Sequence, residues 1–282
     1  MIPTLDRYTA PSGDVFRTLV WPGEGDTLVL VQHGLGEHAG RYQALAEGLG
    51  EGYRVASFDS RGHGYSAGRL GDAEGIDQLA DDLATLLPVL VEASGCERVV
   101  LYGHSMGGAV VGHLLTRGGA VAEVVKAAVL SAPAVAVSGT LQTRIKVRVG
   151  KVLVRVAPTL VIGNSLPTSG ISSDPAEEQR YIDDPLVHDR VSLRLGNSII
   201  EDGARVVDRA PRGAVPLLVV HGDADPIIPV EGSRRLVAAW GHGEEELLTL
   251  AGGRHECHHE VPVVRQQLFD RVRRFVDGVA TS

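Results

Sequence analysis

The spacing of apolar positions changes period several times along the chain. Leu28-Val29-Leu30-Val31 is an almost unbroken apolar run, the pattern of a strand covered on both faces. Ile76, Leu79, Leu83, Leu86, Leu87 and Leu90 recur at helical spacing and predict a helix over residues 76–93. Read this way, strands are predicted at residues 15–21, 27–33, 53–58, 98–102, 124–130, 216–221 and 246–250. Helices are predicted at 41–49, 76–93, from about 105, and at 231–240 and 261–276. Strands alternating with helices imply an α/β protein whose mostly parallel, doubly wound sheet carries helices on both faces. The rhythm stops between Pro133 and Arg212, a connection far longer than the usual two to six residues or so. Residues 133–212 are therefore expected to be an inserted, partly helical cap, leaving 1–132 and 213–282 as the core.

With 282 residues, 44% of them hydrophobic, the chain can bury a large core. A net charge of −8 argues against a general nucleic-acid footprint. The two cysteines, Cys96 and Cys257, imply no disulfide framework and fit a reducing compartment. Residues 1–13 lack a basic start followed by an apolar stretch, so no secretory signal is read there. No apolar run reaches the length of a membrane span, and the expected location is the cytoplasm.

The chemistry is concentrated in a few short segments. Gly103-His104-Ser105-Met106-Gly107 fits G-x-S-x-G between a predicted strand and a predicted helix. That is the setting of a nucleophile elbow, where small residues allow a sharp turn and the serine Oγ projects above the sheet. In chain order an acid and then a histidine should follow. His221-Gly222-Asp223-Ala224-Asp225 closes a strand and offers two carboxylates. Asp225 lies further into the loop and is preferred; Asp223 is the alternative, with turn capping as its other role. His255 follows the last strand and Gly252-Gly253, where an imidazole could accept the Ser105 proton. Upstream, His33-Gly34-Leu35-Gly36-Glu37-His38 closes the first strongly apolar strand. Its Leu35 amide, with that of Met106, is the candidate pair of oxyanion donors, because flanking glycines let the backbone approach a developing charge. His33 and His38 read as structural hydrogen-bonding residues, and Arg61-Gly62-His63-Gly64 as a turn.

Together these segments resemble the monoacylglycerol lipase family, including its bacterial members, within the α/β-hydrolase and serine aminopeptidase S33 superfamily. The resemblance rests on HGLGEHAGRY (33–42), FDSRGHGYS (58–66), GHSMGG (103–108), LSAPAV (130–135), DPLVH (184–188), HGDADPIIPVEGSRRL (221–236) and the pair His255-Glu256. It implies an α/β-hydrolase fold with a cap, hydrolysis of monoacylglycerol esters, and no metal or organic cofactor. It assigns Ser105 as nucleophile, Asp225 as acid, His255 as base, and Leu35 and Met106 as oxyanion amides. Two positions depart from the family pattern: Ser60, where a bulkier residue is common, and the histidine loop, with Arg254 before the histidine and His259-Glu260 after it. Lysophospholipids and short-chain carboxylic esters are the alternative substrates.

Two readings outside serine chemistry remain. His255-Glu256-Cys257-His258-His259 also satisfies H-E-x-x-H, a zinc-peptidase pattern that needs a continuous helix to put His255 and His259 on one face. A binding protein on a hydrolase scaffold is the other. Finally, residues 141–164 carry five basic residues, Arg144, Lys146, Arg148, Lys151 and Arg155, and no Asp or Glu. On a helix Leu141, Ile145, Val149, Val152 and Val156 form an apolar stripe beside a basic one of Arg144, Arg148, Lys151 and Arg155. Such a cap helix either packs on the main domain with solvated charges or lies on an anionic bilayer.

Overall fold

The computed structural model describes residues 1–119, 121–136 and 153–280. Its strands are β1 (Thr4–Thr9), β2 (Val15–Trp21), β3 (Thr27–Gln32), β4 (Arg54–Phe58), β5 (Arg98–His104), β6 (Val125–Ser131), β7 (Val161–Gly163), β8 (Arg190–Ser192), β9 (Leu217–Gly222) and β10 (Glu245–Leu250). Its main helices are α1 (Gln43–Leu49), α2 (Ile76–Ser94), α3 (Met106–Arg117), α4 (Pro175–Asp183), α5 (Leu193–Arg209), α6 (Val230–Ala239) and α7 (Pro262–Ala280). Eight strands form one sheet in the order β1-β2-β4-β3-β5-β6-β9-β10. Pairing is parallel from β4 to β10, while β1 and β2 join antiparallel at one edge.

The central strands are apolar throughout because helices cover both faces. Side chains alternate across the sheet, and the two apolar clusters follow that alternation. Leu28 and Leu30 face α2, α3 and α5 through Leu79, Leu83, Val110, Leu195 and Val206. Val29 and Val31 face α1 and α7 through Leu45, Leu49, Leu268, Phe269 and Val272. Helix α2 follows its predicted stripe and ends at Gly95, whose left-handed φ of 65° lets its N–H return to the carbonyls of Val91 and Glu92.

Strand β1 was not expected from the sequence. Most of its side chains are exposed, so no burial pattern marks it, and its pairing with β2 decides its conformation. Between Ser131 and Leu217 the described residues hold the two-stranded β7–β8 sheet, α4 and α5. Helix α5 is not peripheral: Leu195 and Val206 are fully buried in the main core. Residues 153–156 are helical, and the rest of the anticipated amphipathic helix, including Arg144, Lys146, Arg148 and Lys151, lies outside the described residues. Among the described residues, no helix is long and apolar enough to cross a membrane.

Candidate active site

Parallel strands deliver their C-terminal loops to one edge of a sheet, where α/β folds gather their chemistry. Here the loops after β3, β5, β9 and β10 meet at that edge. Ser105 lies between β5 and α3 at φ 52° and ψ −117°, a conformation L residues rarely adopt. The neighbouring glycines make that turn possible. A Cβ on Gly107 would stand 2.1 Å from the Gln32 carbonyl oxygen, and one on Gly103 would stand 2.6 Å from that of Gly107. The turn is tied down by backbone bonds from Ser105 N–H to the Ser131 carbonyl (3.0 Å) and from Ala134 N–H to the Ser105 carbonyl (2.9 Å).

Ser105 Oγ lies 2.9 Å from His255 Nε2, and His255 Nδ1 lies 2.7 Å from Asp225 Oδ2. The carboxylate's other oxygen accepts the N–H groups of Ile227 (2.7 Å) and Ile228 (3.1 Å), so its orientation is fixed on both sides. Burial alone would raise the Asp225 carboxyl, but His255, His221 and the Ile227 amide hold it far below the ordinary carboxylate range. His255 is subject to the converse balance. Burial lowers its basicity, yet the Asp225 charge and hydrogen bond outweigh burial and leave it raised above 6.5. An imidazole so placed can take the hydroxyl proton while the carboxylate stabilises the resulting imidazolium. Asp223 is exposed and points elsewhere, its Oδ1 accepting the Gly252 N–H at 2.7 Å, which is the turn-capping role.

Gly34, in the loop after β3, approaches this serine closely: a Cβ there would come 3.2 Å from Ser105 Cβ. Leu35 follows it, and Gly36 takes a left-handed φ of 80°. Met106 is the first residue of α3, where a helix leaves its N–H groups without an intrahelical acceptor. His33 shapes the loop: its Nε2 accepts the Ser60 N–H (2.8 Å), so Nδ1 carries the proton donated to the Gly34 carbonyl (2.7 Å). Ser60, one of the departures, accepts a bond from the buried Gln32 amide at 2.7 Å. His38 caps the following turn through Gly40 N–H and meets Asp184 at 2.9 Å. Arg61 in the next turn is held by Asp82 and Asp14.

The zinc-peptidase pattern is corrected by the fold. Residues 257–259 form a 3-10 turn, so His255 and His259 do not share a helical face. Both His255 ring nitrogens are engaged with Asp225 and Ser105. Glu256, His258 and His259 do bring possible ligand atoms within 4.8 Å of one another. However, the Arg41 guanidinium stands among them, 2.5 Å from Glu256 and 3.2 Å from His259 Nδ1. A fixed cation thus already neutralises the carboxylate, and a metal ion would meet like charge.

That cluster is the part of the site missed in the sequence. Glu37 accepts the Gly34 N–H (2.6 Å) and the Tyr42 hydroxyl (2.8 Å), and Arg41 Nε lies 3.4 Å from its other oxygen. Arg41 therefore bridges the loop after β3 to the loop bearing His255. The four-residue spacing of Glu37 and Arg41 was the available signal, but nothing local says that the pair is buried. Behind the serine, burial and the adjacent His255 push His104 down to about 4, and burial keeps His258 neutral.

Segment 164–189 lines an open pocket of about 220 Å³, with apolar Leu166, Pro167, Ile171, Ile182 and Val187 and polar groups including Asn164, Thr168 and His188. It adjoins the loop after β3, since His188 N–H donates to the Gly36 carbonyl at 2.8 Å.

A largely parallel eight-stranded sheet with a strained serine after its fifth strand defines the α/β-hydrolase fold. The chain belongs to the serine aminopeptidase S33 family (Hydrolase_4), whose pattern it matches over residues 23–262. It is 34% identical over 245 residues to a monoacylglycerol lipase of Mycolicibacterium smegmatis, covering 86% of each chain. It is 31% identical over 260 residues to human monoglyceride lipase, covering 90% of this chain and 83% of the relative. The crystal structure of Paleococcus ferrophilus monoacylglycerol lipase superposes with a TM-score of 0.83 at 31% identity, over 99% of this chain and all of that one.

Proposed function

We propose that this chain is a serine hydrolase that cleaves the ester bond of monoacylglycerols, releasing glycerol and a fatty acid. Ser105 is the nucleophile, His255 the general base and then acid, and Asp225 the group that holds the imidazole. The observation that carries this reading is the continuous chain from Ser105 Oγ to His255 (2.9 Å) to Asp225 (2.7 Å). As Oγ attacks the ester carbonyl, His255 takes its proton, and the negative oxygen is received by the N–H groups of Leu35 and Met106. The imidazolium then protonates the departing glycerol oxygen. Water, deprotonated by the same histidine, releases the acid from the acyl-enzyme. Segment 133–212 acts as the cap over this chemistry. The mixed apolar and polar lining of the pocket at 164–189 suits an ester with a hydrocarbon tail and a polyol head. Relatives named for monoacylglycerol hydrolysis support the substrate class.

The test is a substrate series on the purified chain: monoacylglycerols of graded chain length, a lysophospholipid and p-nitrophenyl butyrate. Monoacylglycerols are expected to lead the lysophospholipid in kcat/KM by ~10-fold or more, the low end of what a fitted apolar pocket discriminates. A lysophospholipid leading the series, or no turnover of any monoacylglycerol alongside turnover of the short ester, would overturn the substrate assignment.

The cap also carries the finer part of the reading, contact with a lipid surface. Leu153, Val156, Leu160, Ile162, Leu166 and Ile182 are all exposed, Val156 at 76%, and Arg155 is exposed among them. Apolar side chains entering an interface beside basic ones fit an anionic bilayer, at about 1 kcal/mol per basic residue. Changing Arg144, Arg148, Lys151 and Arg155 together to Gln is expected to weaken binding to anionic vesicles by ~10-fold or more at low salt. High salt should mimic the change, and hydrolysis of a short soluble ester should be nearly unaltered. Equal vesicle binding by the parent and the quadruple variant would refute the contact.

A further inference from the structure

The departures around His255 have a structural role. Residues 169–174 run alongside the histidine loop and bond to it repeatedly. His255 N–H donates to the Gly170 carbonyl (3.2 Å) and Glu256 N–H to that of Ile171 (2.8 Å). The Ser172 hydroxyl donates to the His259 carbonyl at 2.8 Å. Arg254 reaches back with Nη1 to the carbonyls of Ser169 (2.5 Å) and Ser172 (2.9 Å). Glu260 closes the far end. It accepts the Ser173 N–H (2.9 Å), the Ser173 hydroxyl and, within its own loop, the Arg254 N–H (2.8 Å).

The same strand of backbone touches the loop that carries the acid. A Cβ on Gly170 would come 2.8 Å from Pro226 Cγ and 3.2 Å from Ile227 Cγ1. Segment 169–174 therefore spans both loops whose separation sets the Asp225–His255 bond. Because it lies within 133–212, any shift of this part of the cap is transmitted to the base.

We propose that segment 169–174, fastened by Arg254 and Glu260, is a strap that positions His255 against Asp225 and couples the cap to the catalytic base. The inference rests on the assignment of His255 and Asp225 given under Proposed function. Arg254 and Glu260 are positioning residues: they act through the loop, not on substrate. Arg suits the task because its Nη1 carries two N–H groups held in the guanidinium plane, which can serve two carbonyls at once.

The experiment uses the full chain and a short soluble ester, so that lipid binding plays no part. Arg254→Ala is expected to lower kcat by ~10- to 100-fold, the scale of an ångström's misplacement, with KM changing far less. A merely structural role would leave the pH profile in place. Loosening the strap weakens the Asp225 contact and partly solvates the ring, so the acid limb of kcat/KM should move down toward the ordinary histidine value. The other groups facing His255 are His104 at the end of β5, Glu37 in the loop after β3, and Glu256 beside it, and the substitution alters none of their side chains. Arg254→Lys should recover part of kcat and restore the limb. Ser173→Ala, which removes the hydroxyl bond to Glu260 and little else, should shift the limb in the same direction by less. If Arg254→Ala does not fold, that milder variant carries the test.

An unchanged limb with unchanged kcat in Arg254→Ala, or in Ser173→Ala where that stands in, would overturn the strap. Failure of the underlying assignment shows differently, as parental activity surviving in His255→Ala or Asp225→Asn.

Discussion

Replacing Ser105 by alanine is expected to abolish ester hydrolysis, with a loss of kcat approaching ~10⁶-fold, the scale found when a serine hydrolase loses its attacking atom. The fold should survive. Ser105 Oγ contributes one hydrogen bond, to His255, while the backbone bonds that hold the turn belong to main-chain atoms that alanine keeps. Alanine also keeps the φ of 52°, and therefore its strain. Ser105→Gly should be equally inactive yet more stable by about 1 kcal/mol, because glycine adopts that conformation without strain. Turnover of a soluble ester and thermal unfolding of the two variants check both halves. Retention of a tenth of parental turnover by purified Ser105→Ala would remove the proposed nucleophile.

The second large effect separates the two aspartates. Asp225→Asn is expected to cost ~10⁴-fold in kcat, since an amide can hold the imidazole in the wrong tautomer and cannot stabilise its charge. Asp223→Asn should cost little, because Asp223 caps the Gly252 N–H away from His255. The pH profile adds an independent readout. The base works when neutral, so kcat/KM in the parent falls as pH drops through a His255 pKa raised above 6.5. Without the Asp225 charge the lowering effect of burial is less opposed, and the residual activity of Asp225→Asn should keep its plateau to lower pH. A larger loss at Asp223, or a limb moving upward in Asp225→Asn, would reverse the assignment.

These expectations start from residues legible in the sequence for different reasons. G-x-S-x-G is legible because the turn itself demands glycines: each flanking position abuts backbone where a Cβ would collide. His255 and Asp225 had to be found by position and order, since neither has a local steric signature. The choice between Asp223 and Asp225 illustrates the limit. Two residues apart in one loop, they differ in which way the chain turns after β9, and that depends on contacts with Gly253 and Arg254.

The buried Glu37–Arg41–Glu256 group shows the same limit more sharply. Charged residues are ordinarily solvated, and sequence spacing cannot tell a surface pair from a buried one. Burial here results from packing two loops more than 200 positions apart in sequence, from Arg41 to Glu256. The H-E-x-x-H pattern misleads for a related reason: it specifies spacing, whereas shared metal ligation requires a helix, and the segment is held as a turn by its neighbours.

The sequence by itself determined the alternating parallel architecture, the elbow and the chain order of Ser105, Asp225 and His255. Those features follow from short-range period, glycine sterics and chain order, all of which a linear chain records. The tertiary structure alone decided that β1 is a strand, that Arg41 meets Glu256, and that residues 169–174 bond to the histidine loop. Each of these depends on an approach between segments distant along the chain. No local pattern encodes such an approach, because the energy that fixes it arises only when both partners are desolvated together.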